Sequence, residues 1–478
     1  MKFTTLIEAL KSKGVRYGGY AAFVTILVLV GLIVLNLIIQ QLPAEIDFTE
    51  NQIYSLSDQT KEVLENLDEE IRIYALYKIG RENDDVTTIL RKYEQLSSMV
   101  HVEYVDPEKN PTFVSKFETE DKEISEGSLI VVRGENYKTI SPFDLYDVSY
   151  SREGQPQVTG VAVEQRVTSA ILYVGSGYSP KIYQLIGHKE YTLQDVGLVD
   201  ALTKENYEIQ NLNLASADAV PDDTALLLVM SPEIDFTPPE RDKILDYLDD
   251  GGRAVFLFDF YSFERKPNID AVLKSYGLRL KEGVVMEGDP SRLYSTDNPF
   301  FLAPILEDHP MLAPLRDNKL NILFPNSMAL EELDIKKRNM ELTPLLSTSD
   351  KSWLRTEQNG NVNKIPSDLP GPHTVAYSVK DKFNEKEGVR LVVCGNGRFL
   401  TPLPPYGQLK GNIEFFINSL SWVSNRSETI SIRSKSLFTL PMRMSGLQVF
   451  IYSGIVVILI PALILIAGLV IWLRRRNL

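Results

Sequence analysis

Three short groups of residues in this 478-residue chain have the types and spacing that chemistry could use. In Gly187-His188-Lys189-Glu190 an imidazole stands two positions from a carboxylate, as a general acid–base pair or two metal ligands would. Ser231-Pro232-Glu233 and Asp259 form a second, looser set, and Cys394-Gly395-Asn396-Gly397 a third. Each group has a chemical limit. No further His or Cys lies at ligand spacing from His188, and His101, His309 and His373 are scattered, so no metal is expected. A nucleophile elbow takes the form G-x-nucleophile-x-G because its turn is too tight for side chains. Around Cys394 those two positions hold Val392 and Asn396, so a buried structural cysteine is expected. The chain contains no G-x-x-x-x-G-K-[ST], which excludes ATP hydrolysis by the P-loop route. The expectation is therefore no catalytic residue, no metal and no cofactor. Gly187, His188, Glu190, Asp259 and Asn396 are the candidates for a small-molecule or peptide site, with ordinary loop residues as the competing reading.

What makes them candidates is the elements that precede them. Lys181–Gly187 (KIYQLIG) reads as a buried strand, Thr192–Lys204 as a helix and Tyr207–Leu212 as a strand. Thr224–Met230 (TALLLVM) is nearly continuously apolar, as a parallel strand covered on both faces is. Pro238–Asp250 reads as a helix with proline in its first turn and Gly251-Gly252 beyond its end, followed by a strand over Arg253–Phe258. Ile269–Tyr276 (helix), Arg279–Met286 (strand), Val375–Val379 and Val389–Cys394 (strands) and Asn412–Val423 (helix, capped by Asn412) complete the pattern. Residues 289–372 give no confident trace. Alternation of this kind implies right-handed βαβ units in a doubly wound sheet, whose ligands bind beyond the carboxyl ends of the strands. All three groups fall there.

Upstream, Ile53–Asp68 reads as a helix with Ser55 or Ser57 as N-cap, Ile71–Tyr77 as a strand and Asp85–Ser98 as a helix. Val100–Val105 is a strand, Thr112–Glu118 a short helix, and Ser128–Arg133 and Tyr137–Ile140 two strands. Strand, helix, strand, helix and hairpin is the order of a thioredoxin-like layer, here without a CxxC and hence without its redox chemistry. Val163–Val174 reads as a connecting helix and Gly175–Pro180 as a linker.

The chain carries two long uncharged stretches. From Leu447 to Leu473 it could form a helix roughly 40 Å long, longer than the roughly 30 Å hydrocarbon core of a bilayer, closed by Arg474, Arg475 and Arg476. Tyr20–Leu42 is the second, too long for a signal-peptide core. QQLPAE after it offers no small-x-small cleavage site. Lys2, Lys11, Lys13 and Arg16 precede it, so the positive-inside rule puts the N-terminus in the cytoplasm, and a second span returns the C-terminus there. The expected organisation is a cytoplasmic N-terminus (1–19), a first transmembrane helix (20–42) and a thioredoxin-like extracytoplasmic domain (43–160). A connecting helix and linker (161–180) leads to an α/β domain (181–430), a juxtamembrane segment (431–446), a second transmembrane helix (447–473) and a cytoplasmic tail (474–478). Setting aside seven basic residues and one acidic residue at the two ends leaves 43 basic against 63 acidic, a net of −20 for the body. Such acidity argues against binding nucleic acid.

IDFTENQIYSLSDQTKEVLENLDEEIRIYALY, VEYVDPEKNP, VEQRVTSAI, KIYQLIGHKE, LLSTSDKSW, VVCGNGRFL, GNIEFFINSLSWV and ISIRSKSL occur in an order and spacing that resemble the GldG-type auxiliary components of ABC transport systems, some of them gliding-motility-associated. The family's Gly-His-Gly-Glu has Lys189 here in place of its second glycine. The resemblance implies a bacterial membrane protein acting with separate ABC permease and ATPase subunits. It also implies a second α/β unit like class I glutamine amidotransferases but catalytically degenerate. The function expected is thus a non-enzymatic two-span auxiliary subunit in the cell membrane. Its extracytoplasmic body would meet a substrate or envelope component. The alternative is a membrane-tethered ectoenzyme of hydrolase or amidotransferase type, using Cys394 or His188, or an extracytoplasmic ligand sensor.

Overall fold

The computed structural model describes residues 13–41, 47, 49, 52–118, 124–150, 155–262, 264–295, 298–334, 337, 339–358, 361–384, 388–403, 407–425, 434–437 and 452–476. Outside these lie the first basic residues, the QQLPAE turn from Leu42 onward, part of the DFTENQ stretch, most of the expected juxtamembrane segment and Leu447–Phe450. The chain forms two units, residues 56–438 and the flanking residues 1–55 with 439–478.

In the flanking unit, Lys13–Gln41 is a 29-residue helix whose described apolar stretch is Phe23–Leu37. Among the described residues one helix, Val457–Arg474, is long and apolar enough to cross a membrane. Gly454–Leu459 takes a π-helical turn before the α-helix Ile460–Arg476. Pro461 accounts for it, since proline offers no N–H and its ring crowds the carbonyl four residues back, which a widened turn relieves.

The larger unit is mixed α/β. Its first sheet contains β1 (Ile71–Leu76), β2 (Val100–Val105), β3 (Leu129–Arg133) and β4 (Asn136–Ile140) in the order β2-β1-β3-β4. β1 runs parallel to β2 and antiparallel to β3, with β4 antiparallel to β3. The first helix is shorter than expected, Asp58–Glu65, because Ser57 is its N-cap: its side chain accepts from the Thr60 N–H. The next helices are Asp84–Leu96 and the single turn Pro111–Val114. Helix Val163–Ser176 ends at Gly177, whose φ of +61° only glycine adopts freely.

That helix carries a buried carboxylate on which distant segments converge. Glu164 accepts from the Ser57 N–H at 2.6 Å, the Thr60 hydroxyl at 2.7 Å and Lys435 Nζ at 2.7 Å. Tyr93 donates to the Glu164 carbonyl, and its hydroxyl also meets that of Thr168. Lys435–Ser436 adds an edge strand to β6 (Pro156–Val161), which pairs in turn with β5 (Tyr146–Tyr150). Ser434 bonds the Asp147 carboxylate, and the Leu437 N–H donates to the Thr159 carbonyl. The chain therefore enters this unit and leaves it at one place.

The second sheet has ten strands. β7 (Lys181–Leu185), β8 (Glu208–Leu212), β9 (Thr224–Met230) and β10 (Arg253–Leu257) run parallel with the strand Arg390–Cys394. Strands Thr374–Asp381, Met340–Ser347, Leu330–Glu332, Leu278–Leu280 and Ile305–Leu306 extend it antiparallel. Along β9, Leu226 and Leu228 enter one core with Phe415, Phe416 and Leu420. Leu227 and Val229 enter the other with Ile244, Leu248 and Ile269. Alternation to two covered faces is why TALLLVM carries no polar residue after Thr224.

Several boundaries differ from the sequence reading. Thr192–Lys204 is not one helix: Asp195 accepts from the Thr192 N–H and hydroxyl in a local turn, and helix begins only at Val199. The expected strand Arg279–Met286 is broken into Leu278–Leu280 and Val284–Met286 at Gly283, whose φ is +133°. The last helix starts at Lys410, and Asn412 is not its cap. Its buried amide instead accepts from the Leu323 N–H and donates to the Leu323 and Phe399 carbonyls. In 289–372 the strands are two to eight residues long and antiparallel, joined by 3-10 turns.

Candidate functional site

The carboxyl ends of the parallel strands lie in line: the Ile186 N–H donates to the Leu212 carbonyl, Ser231 to Leu257 and Phe258 to Cys394. Every candidate residue stands just beyond this edge, yet they divide into two clusters. The first joins His188 to Glu190 and to a carboxylate the sequence did not offer, Glu240. His188 Nδ1 lies 3.0 Å from Glu190 Oε1, and Nε2 lies 3.1 Å from Glu240 Oε2. The His188 N–H also donates to Glu190 Oε2 at 2.7 Å. All three side chains are buried, and the imidazole stands edge-on to Phe236.

Glu240 is also the third residue of the helix Pro238–Asp249, where it completes a capping box with Thr237. The hydrogen bond to Glu190 foremost, and the Coulomb attraction of both carboxylates, hold His188 above the ordinary histidine pKa against its burial. Burial pushes Glu240 up, but the Thr237 and His188 bonds prevail and hold it below its ordinary value. A carboxylate on each ring nitrogen leaves the imidazole no free edge for a metal or substrate. Gly187 takes φ +128° beside Asn213. The signal for Glu240 was present in the sequence as T-P-P-E, a capping box, but nothing local connects it to His188.

The second cluster gathers Ser231, Asp259, Asn396 and Gly397. Asp259 Oδ1 accepts from the Gly397 and Arg398 N–H groups at 2.9 and 3.0 Å, while Oδ2 has no hydrogen-bond partner among the described residues. Burial raises the Asp259 pKa against those two bonds, the neighbouring Ser231 hydroxyl and the Arg398 guanidinium, whose Nε lies 3.9 Å from Oδ2. Ser231 sits in the left-handed region with φ +55°, its Oγ buried and without a hydrogen bond to any described group. Asn396 is wholly buried, accepting from the Phe399 N–H and donating to the Pro325 carbonyl.

The glycines beside it serve close packing. A Cβ on Gly395 would stand 2.0 Å from the Met328 carbonyl oxygen, and one on Gly397 1.9 Å from Ser231 Oγ. Protein atoms thus fill the space where a loop would cradle a ligand. Cys394 is the last residue of its strand, fully buried, and burial pushes its thiol well above the usual range, away from thiolate chemistry. Among the described residues no group of three or more His, Cys, Asp or Glu could hold a metal ion.

Gly397→Ala is expected to cost about 1–3 kcal/mol through overpacking, read as a lower thermal midpoint. Because the obstructing atom is one hydroxyl, Ser231→Ala in the same chain should restore most of that loss. The same serine change should not rescue Gly395→Ala, whose obstruction is backbone.

Comparison with known proteins gives two family matches. Residues 179–419 match a family described as an ABC-type uncharacterized transport system. Residues 50–146 match a domain of unknown function. No curated protein is similar to the chain by sequence. Among solved structures it is similar to the N-terminal domain of mmIFT52, with 16% identity and TM-score 0.37 over 50% of this chain and 97% of that one. A ThuA-like protein from Parabacteroides merdae shows 11% identity and TM-score 0.31 over 55% and 94%. A glutamine amidotransferase from Thermotoga maritima shows 8% identity and TM-score 0.28 over 53% and 99%. All three likenesses are distant.

Proposed function

Since this chain belongs to the ABC-type uncharacterized transport system family, we propose that it is a non-enzymatic, membrane-anchored auxiliary subunit of an ABC transport complex. The family match over residues 179–419 carries this reading, and the apolar helix Val457–Arg474 supports anchoring. In this reading Lys13–Gln41 supplies a second span, both termini are cytoplasmic, and the acidic body works outside the membrane on a substrate or envelope component. A GldG-like role in gliding motility is the finer form of the same proposal. The strand order β2-β1-β3-β4 supports a thioredoxin-like first layer, and the five parallel strands support an amidotransferase-like second one. ATP hydrolysis belongs to a partner, since the chain has no P-loop.

The state of the candidate residues favours the non-enzymatic reading over an ectoenzyme. Cys394 is a buried thiol at a strand end, where burial disfavours the thiolate, and His188 has both nitrogens engaged by carboxylates. The test is affinity purification of the full chain from native membranes in mild detergent. The expected result is co-purification of a P-loop ATPase and a multi-span permease, with ATPase activity in the complex. A chain that emerges alone, or whose cellular phenotype is abolished by Cys394→Ala, would overturn the reading.

A further inference from the structure

We propose that the cleft between Arg292 and Arg316 is a binding site for a monoanionic amphiphile, a carboxylate carrying a short apolar chain. The cleft has a volume of about 530 Å³, within the range of small-molecule sites. Its two walls are fixed by backbone bonds. On one side the Ala303 N–H donates to the Arg292 carbonyl at 2.8 Å, and Leu293 bridges Leu302. On the other, Ile305 and Leu306 pair in register with Ser347 and Leu346 of the large sheet. The chain direction at each wall is therefore set before any ligand arrives.

The charges point to the class of ligand. In a body with a net charge of −20, the half-buried Arg292 has no carboxylate or carbonyl partner for its side chain among the described residues. Arg316 on the facing side is already engaged: its guanidinium donates to the Glu307 carbonyl at 2.6 Å and meets the Asp308 carboxylate at 3.2 Å. Among the described residues one positive charge at the cleft is left without an ion-pair partner, which suits a monoanion better than a phosphate dianion. Guanidinium matches carboxylate geometry with two parallel N–H donors. Beside the two arginines, Ile305, Leu306 and Leu320 supply the apolar surface against which a hydrocarbon chain would lie. This site stands apart from the transport-subunit reading, because it is defined by binding to the chain alone.

The test uses full-length chain in lipid nanodiscs with hexanoate as the probe, read by saturation-transfer NMR against empty nanodiscs to remove partition into lipid. The expected result is saturable binding with a dissociation constant on the order of 1 mM for so small a ligand. Arg292→Gln should weaken it by at least about tenfold, and Arg316→Gln should weaken it as well. Arg265→Gln, at a largely exposed arginine paired with Glu282, should leave it unchanged. Equal binding of hexylammonium, binding of inorganic phosphate at least as tight as that of hexanoate, or no effect of either cleft substitution would overturn the proposal. No partner subunit takes part, so failure here leaves the transport-subunit reading standing.

Discussion

Glu164→Ala is expected to destabilise the protein by about 3–5 kcal/mol, the cost of removing one member of a buried ion pair, and to do so with a recognisable spatial signature. The substitution leaves Lys435 Nζ, the Ser57 N–H and the Thr60 hydroxyl without the acceptor they share. Those groups belong to two segments far apart in sequence, so both should loosen together. Hydrogen exchange should accelerate in residues 57–60 and 434–437 as well as in the first turn of Val163–Ser176, while β9 and β10 keep their protection. Glu164→Gln should be milder, since its carbonyl can still accept from Ser57 or Thr60, although it loses the charge facing Lys435. Exchange that rises in only one of the two segments would refute a shared anchor.

His188→Ala is the second substitution with a large expected effect, again about 3–5 kcal/mol, because it leaves Glu190 and Glu240 facing an apolar void without their cation. Its cost should depend on pH in a definite direction. The raised pKa of His188 means that its contribution is fully present below the unfolded-state value near 6.5 and is lost as pH rises through the folded value. Glu240, held low, contributes above its unfolded value near 4.5 and loses that contribution as pH falls through the lowered folded value. The stability gap between wild type and His188→Ala should therefore be widest at mildly acidic pH and narrow towards alkaline pH. Thermal midpoints measured from pH 5 to 9 would show this. A gap that widens with rising pH would contradict the assignment.

The parallel layer was legible in the sequence because its central strands are buried on two faces. After Thr224 and Arg253 at their starts, the remaining residues of TALLLVM and RAVFL are therefore apolar without alternation, and Thr237-Pro238 with Gly251-Gly252 punctuates the helix between them. Residues 289–372 were not legible for the opposite reason. There the strands include pairs such as Phe301–Leu302 with Phe324–Pro325, too short for any period to register. Buried polar residues decide much of that region, as Arg355 does by binding Asp368 and the carbonyls of Asn361 and Asn363. Thr192–Lys204 misled because Thr-x-x-Asp satisfies its own backbone before a helix can start.

The candidate site was legible only by position. The doubly wound pattern placed His188, Asp259 and Asn396 along one edge, where the structure also has them. What each of them bonds was not readable, since Glu240 reaches His188 across 52 residues and Asp259 reaches Gly397 across 138. The sequence likewise gave no weight to Glu164, whose neighbours in VEQRVTSAI mark it only as a helical residue. Long-range polar contacts leave no periodic trace.

The convergence on Glu164 also bears on how such a chain could have been assembled. With Ser57 and Lys435 bonded to one carboxylate, the polypeptide between them is topologically an insert with adjacent ends. An insert of that kind can be accepted between two neighbouring points of a host chain without stretching either side, which is the geometry that domain insertion and circular permutation require. Length added or lost inside it leaves the two ends where they were. A body of this size can therefore be exchanged, enlarged or pared down over evolutionary time while the flanking helices keep a constant connection.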